Sequence, residues 1–204
     1  MMRSLRSIYF AFCFAALAAA ACSLHSKGPI PATEPASEPA MEPKTASDAK
    51  FVTETAKNAQ AQFAVGRFKR ALELYANAFE KNHHPRLRNE YANLGEQIKN
   101  AADTAYRTGN VTKAGIDYGI LIDSGITTQD FAEMLSFDEN YLRKQIKACS
   151  KALMESGLRK YREEKLDEAI AIWKKALFFD PDNRSVKNAF ETATAQLQKL
   201  KQLK

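Results

Sequence analysis

Cysteine is nearly absent: the 204 residues hold Cys13, Cys22 and Cys149. Cys13 lies inside an N-terminal apolar segment, and Cys22 stands directly after it. That leaves Cys149 alone in the rest of the chain, and a single thiol closes no internal disulfide. The fold must therefore be held by packing. Histidine is as scarce, with His25, His83 and His84. No further ligand stands at metal-binding spacing around the adjacent pair, so no metal site is expected. No histidine near the C-terminal end could activate a nucleophile, and no glycine-rich phosphate loop occurs. The paired acids Glu163-Glu164 and Asp167-Glu168 flank a turn and read as capping and solvation. The basic C-terminal tail lacks interleaved aromatics, which excludes it as a nucleic-acid surface of the usual kind. Together these absences leave no catalytic residue and no cofactor to expect, and the chain reads as a non-enzyme.

What remains is an ordinary globular composition, 45% apolar and 26% charged. The length suits one domain plus additional chain. Formal net charge is +6, of which Arg3 and Arg6 supply two. The remaining excess is mild and reads as a solvated surface.

Residues 1–21 have the plan of a secretory signal peptide: Arg3 and Arg6, then an apolar run from Ile8 to Ala21 too short to span a bilayer comfortably. The small triplet Ala19-Ala20-Ala21 stands directly before Cys22. This arrangement resembles the lipobox of bacterial lipoproteins, although Ala19 replaces the leucine favoured there. The resemblance implies cleavage before Cys22 and acylation of that residue, giving a stable lipid anchor. Ser23 follows in place of the aspartate that favours inner-membrane retention in such proteins. The implied location is the cell envelope, at the outer membrane facing the periplasm. Five of the seven prolines, Pro29, Pro31, Pro35, Pro39 and Pro43, then punctuate residues 22–46. Repeated proline removes backbone donors and favours an extended chain, so this segment reads as a tether.

From residue 47 to 204 the apolar period is helical, and the segment repeats itself. Phe63, Gly66, Phe68, Ala71, Leu72, Tyr75, Ala78 and Phe79 recur 98 residues later as Tyr161, Glu164, Leu166, Ala169, Ile170, Trp173, Ala176 and Leu177. A weaker copy lies 43 residues after the first: Tyr106, Gly109, Val111, Ala114, Gly115, Tyr118, Leu121 and Ile122. Each copy reads as two antiparallel helices. A small residue (Ala59, Ala102, Gly157) stands four before an aromatic on the first helix. A glycine three residues on can end that helix in the left-handed conformation. The second helix then offers an alanine for close approach and, four residues later, a large aromatic.

The stretch Leu166 to Pro181, LDEAIAIWKKALFFDP, is similar to the second half of a tetratricopeptide repeat, with Ala169, Trp173, Ala176 and Pro181 at that family's spacing. The resemblance implies an all-α, right-handed solenoid of about three irregular hairpins with a C-terminal capping helix. The copies are spaced 43 and 55 residues apart, whereas such repeats recur at about 34. The surplus is expected in long first helices and a short extra helix near Thr127–Leu135. Ser136 with Glu139 resembles a capping box, from which a helix of about 28 residues follows. Cys149 lies in its apolar row with Leu142, Ile146 and Leu153 and is expected in the core. After Asn183 a last helix carries Val186, Phe190, Ala193, Leu197 and Leu200 at alternating steps of four and three. That spacing suits a polar-backed cap and also a dimerising seam.

By the family's geometry, the concave groove would be lined by Glu96, Lys99, Asp103 and Arg107 in the second copy. In the third copy the corresponding residues are Lys151, Met154, Leu158 and Arg162. The function these features imply is a protein-binding adaptor or scaffold that takes an envelope partner as a peptide or helix in this groove. Such proteins resemble repeat lipoproteins that assist assembly of a pilus, a secretin, a β-barrel or a peptidoglycan-enzyme complex. The alternative is a structural protein that self-associates, as a homodimer, through its long helices and C-terminal heptads.

Overall fold

The computed structural model describes residues 46–203. The expected signal peptide, lipidated Cys22 and tether lie outside them. The described residues form an all-helical unit: α1 (Ala46–Ala64), α2 (Phe68–Asn82), α3 (Pro85–Arg107), α4 (Val111–Asp123), α5 (Gln129–Ala132), α6 (Glu139–Arg162), α7 (Leu166–Phe179) and α8 (Arg184–Gln202). Three antiparallel pairs, α1/α2, α3/α4 and α6/α7, follow one another, and α8 packs on α7. Between pairs, α2 meets α3 and α4 meets α6, so each hairpin rests on the next. None of these helices is long and apolar enough to cross a membrane.

The three hairpin turns share one backbone conformation. Gly66, Gly109 and Glu164 all have positive φ, at 75°, 83° and 60°. In each turn this residue's N–H bonds the carbonyl three back: Phe63, Tyr106, Tyr161. The next N–H reaches five back, from Arg67 to Gln62, Asn110 to Ala105, and Lys165 to Lys160. That pair of bonds satisfies carbonyls left open at a helix end. Glu164 stands where its counterparts are glycine, and a β-carbon there is strained by roughly 1–2 kcal/mol. Glu164→Gly should therefore raise the unfolding free energy by about 1 kcal/mol, read as a higher denaturant midpoint with an unchanged slope.

Packing follows the repeat skeleton. Ala71, Ala114 and Ala169 are buried, as are Ala59, Ala102 and Gly157, and the three large aromatics Tyr75, Tyr118 and Trp173 fill the space between them. In the third hairpin the approach is closest. A β-carbon on Gly157 would collide with the Trp173 indole, whose N–H donates to the Met154 carbonyl at 3.2 Å. Gly115 does the corresponding service between hairpins: the Phe179 ring of α7 lies 2.6–2.7 Å from where its β-carbon would stand. Phe179 thereby joins the apolar cluster of α1–α6 to that of α6–α8.

The long helix of the third hairpin is shorter than its expected 28 residues. It has 24 and starts at Glu139, capped by Asp138, whose carboxylate accepts from the Tyr141 N–H at 2.7 Å. Ser136 is not its cap. Its N–H and hydroxyl both go to the Glu96 carboxylate, at 2.5 and 2.8 Å. The extra helix is α5, within the expected window. The segment around it packs across α2 and α3: Phe131 stands edge-on to Phe79 and Tyr91, with centroids 5.4 and 4.9 Å away, and Ile126 covers Gly95. Asn183 caps α8, accepting from the Val186 N–H at 3.2 Å.

Cys149 is buried in the core, and burial pushes its thiol up to about 12. The thiolate is the reactive species, so Cys149 should resist thiol reagents in the native protein. It should label only as fast as the protein unfolds, which a denaturant series of labelling rates would check.

Candidate binding face on the first helices

The eight residues expected to line the groove fall on two long helices, four on α3 and four on α6, at matching positions 55 residues apart. Their side chains do different things. Glu96 is spent on Ser136, tying α3 to the segment before α6. Lys99 pairs with Asp103 at 3.0 Å and lies 5.5 Å from the Tyr141 ring centroid. Asp103 is the centre of a network. Its Oδ1 accepts from the Tyr118 hydroxyl at 2.6 Å and the Tyr141 hydroxyl at 2.8 Å, so one carboxylate links α3, α4 and α6.

Burial acts to raise the Asp103 carboxyl, but the donors Tyr118, Tyr141 and Lys99 together outweigh it and hold it below the usual range. The converse falls on the tyrosines. Burial and then the hydrogen bond to Asp103 push Tyr141 up to about 12 and Tyr118 further. Both hydroxyls therefore remain donors at neutral pH.

Met154 and Leu158 are half-buried and pack against the apolar cluster of Trp173, Val186 and Ala193, in the seam between α6 and the α7–α8 pair. The counterpart of Asp103 in the third hairpin is Leu158, so that seam is apolar where the one before it is polar. Arg107, Lys151 and Arg162 are exposed. None of the three forms an ion pair among the described residues, and Arg107 only donates to the Thr104 hydroxyl at 3.2 Å. The structure thus divides the eight: five are engaged within the fold, and three cations on the two first helices face solvent. No protein-family model matches this chain. No curated protein matches it either.

Sequence reasoning missed Tyr141 and Tyr118 as partners of Asp103. The available signal was the placement of Tyr141 three residues after a capping aspartate, which puts it in the first turn of α6 and on the side of α3. The first hairpin shows the same plan unfinished. Tyr75 is buried, and Gln60 stands where Asp103 does, 43 residues earlier. Among the described residues the Tyr75 hydroxyl finds no hydrogen-bond partner, and burial, followed by the nearby Glu90 charge, pushes it up.

His83 and His84 serve the α2–α3 junction. His83 takes the left-handed conformation that ends α2, and His84 Nδ1 accepts from the Arg86 N–H at 3.1 Å ahead of Pro85. Among the described residues no group of three His, Cys, Asp or Glu side chains is placed to hold a metal.

Proposed function

We propose that this chain is a tetratricopeptide-like lipoprotein of the bacterial envelope that acts as a protein-binding adaptor, anchored through Cys22 and held off the membrane by its proline-rich tether. The observation that carries the adaptor reading is the pairing of repeated hairpin turns with unpaired Arg107, Lys151 and Arg162 on two adjacent first helices. Arg107 and Arg162 occupy the same position of their hairpins, each at the C-terminal end of its helix. A helix C-terminus favours a cation there, and without a carboxylate partner that charge is free to meet an acidic segment. The partner is therefore an envelope protein presenting acidic residues on a peptide or helix, with charge setting register.

Replacing Arg107, Lys151 and Arg162 with Gln should leave the helical signal intact and lower the melting temperature only slightly, because exposed charges contribute little to stability and two helix C-termini lose a favourable cation. Capture of the partner from envelope extracts should fall sharply and lose its salt dependence. Undiminished capture would remove the groove as the binding site. Cys22→Ser in the full chain should move the protein from the membrane to the soluble fraction. A variant that stays membrane-bound would remove the lipoprotein reading.

The second reading, self-association, is favoured by one feature. The apolar row of α8 outruns its packing, leaving Leu200 47% exposed, and Leu203 just past the helix end is 84% exposed. Light scattering tests it directly. A monomer unaffected by Leu200→Asp would leave the adaptor reading standing alone.

A further inference from the structure

A cleft of about 270 Å³ lies away from the first-helix cations, bounded by the end of α4, the first half of α6 and the α7–α8 turn. Its floor is apolar: Ile122, Ile146 and Phe179. Gly119 opens it, because no side chain fills the space beside Phe179; a β-carbon there would sit 3.9 Å from Phe179 Cβ, ordinary contact. One wall is held rigid. Asn183 Nδ2 donates to buried Ser150 Oγ and to Asp180 Oδ2, both at 2.9 Å, while its carbonyl caps α8. The turn is thus fixed to α6 without any ligand, as binding pockets usually are.

The charges around this floor are of both signs. Lys147 lines the cleft from α6, while Asp123 and Asp182 line it from α4 and the turn. Among the described residues none of these three forms an ion pair. Arg143 also lines it but is engaged by Glu139 at 2.5 Å. Opposite charges left unpaired around an apolar floor match a ligand that carries both signs beside an apolar group. The volume falls just under the range of about 300–1,000 Å³ for drug-sized ligands, which suits a small ligand.

We propose that this cleft binds a small zwitterion, a free amino acid or dipeptide with an apolar side chain. The carboxylate goes to Lys147, the ammonium to Asp123 and Asp182, and the side chain rests on Ile122, Ile146 and Phe179. This is independent of the docking role of the first helices.

The test uses the full chain in detergent micelles, with alanyl-leucine as the probe and methyl NMR of Ile122 and Ile146 as the readout. The zwitterionic dipeptide should shift both methyls saturably. Capping either its amine by acetylation or its carboxylate as the amide should weaken binding about tenfold. Lys147→Gln should abolish the preference for the free carboxylate, and Asp123→Asn with Asp182→Asn the preference for the free ammonium. Gly119→Ala should weaken binding by occupying the floor without lowering the melting temperature. Equal binding of the capped dipeptides, or unshifted methyls at millimolar probe, would overturn the proposal. So would full binding by Lys147→Gln.

Discussion

Trp173→Ala should lower the unfolding free energy by about 3–5 kcal/mol, the usual cost of truncating a large aromatic in a packed core. Trp173 is 1% exposed, packs between α6 and α8, and places its indole N–H on the Met154 carbonyl. Truncation opens a cavity beside two helices that Gly157 has drawn together. The same contact fixes the sign of a second change. Glycine to alanine inside a helix ordinarily stabilises by about 1 kcal/mol. Gly157→Ala should instead destabilise, because the new methyl meets the indole around Nε1 and the backbone carrying it cannot move without breaking α6. In the Trp173→Ala background the clash is gone and the ordinary gain should return. A double-mutant cycle by urea denaturation measures this coupling, and additive effects would show that the ring and the glycine do not touch. Trp173 is the chain's one tryptophan, so native emission should be blue-shifted and move red on unfolding.

The repeat skeleton was legible because each marked position answers a local geometric demand. A glycine at the turn meets the need for positive φ, and alanine opposite an aromatic meets the need for close approach. Such demands recur at fixed offsets and survive divergence, which is why even the weak middle copy shows the same turn. Glu164 carries the conformation without the residue that signals it, because the rest of its turn supplies the same hydrogen bonds. What stayed illegible was the packing of the inserted segment. Ser136 and Glu139 have the spacing of a capping box, yet Ser136 binds Glu96, 40 residues back. Helical period places Glu96, Lys99 and Asp103 on one face but says nothing of what a neighbouring segment lays over it. Tyr141 reaches Asp103 across 38 residues, a separation over which one sequence carries no signal. The groove assignment consequently mixed two kinds of residue, and reversing Lys99 to probe binding would also break the Asp103 network.

Asp103→Ala should cost about 2–3 kcal/mol at neutral pH, the range for hydrogen bonds to a charged group plus the donors left unpaired. Tyr118 and Tyr141 lose a common acceptor, and Lys99 loses its counter-ion. The deficit should depend on pH. The folded-state value of Asp103 lies below the unfolded value of roughly 4. Its carboxylate therefore adds stability that is fully present above that unfolded value and is lost as pH falls through the lower folded one. Parent and Asp103→Ala should converge in acid, without meeting, since the protonated carboxyl still accepts from a tyrosine. Asp117 supplies the opposite sign on the neighbouring helix. Burial pushes its carboxyl up, and Lys113, its ion-pair partner, does not fully offset this. Its ionised form opposes folding, so the penalty is absent below the unfolded value and grows as pH rises toward the raised folded one. Asp117→Asn should thus be neutral or stabilising at pH 7, where Asp103→Ala is most harmful. Urea midpoints of both variants between about pH 3 and 7 separate the two effects. An Asp103→Ala deficit that does not change over that range would show that the fold does not depend on the ionised carboxylate joining α3, α4 and α6.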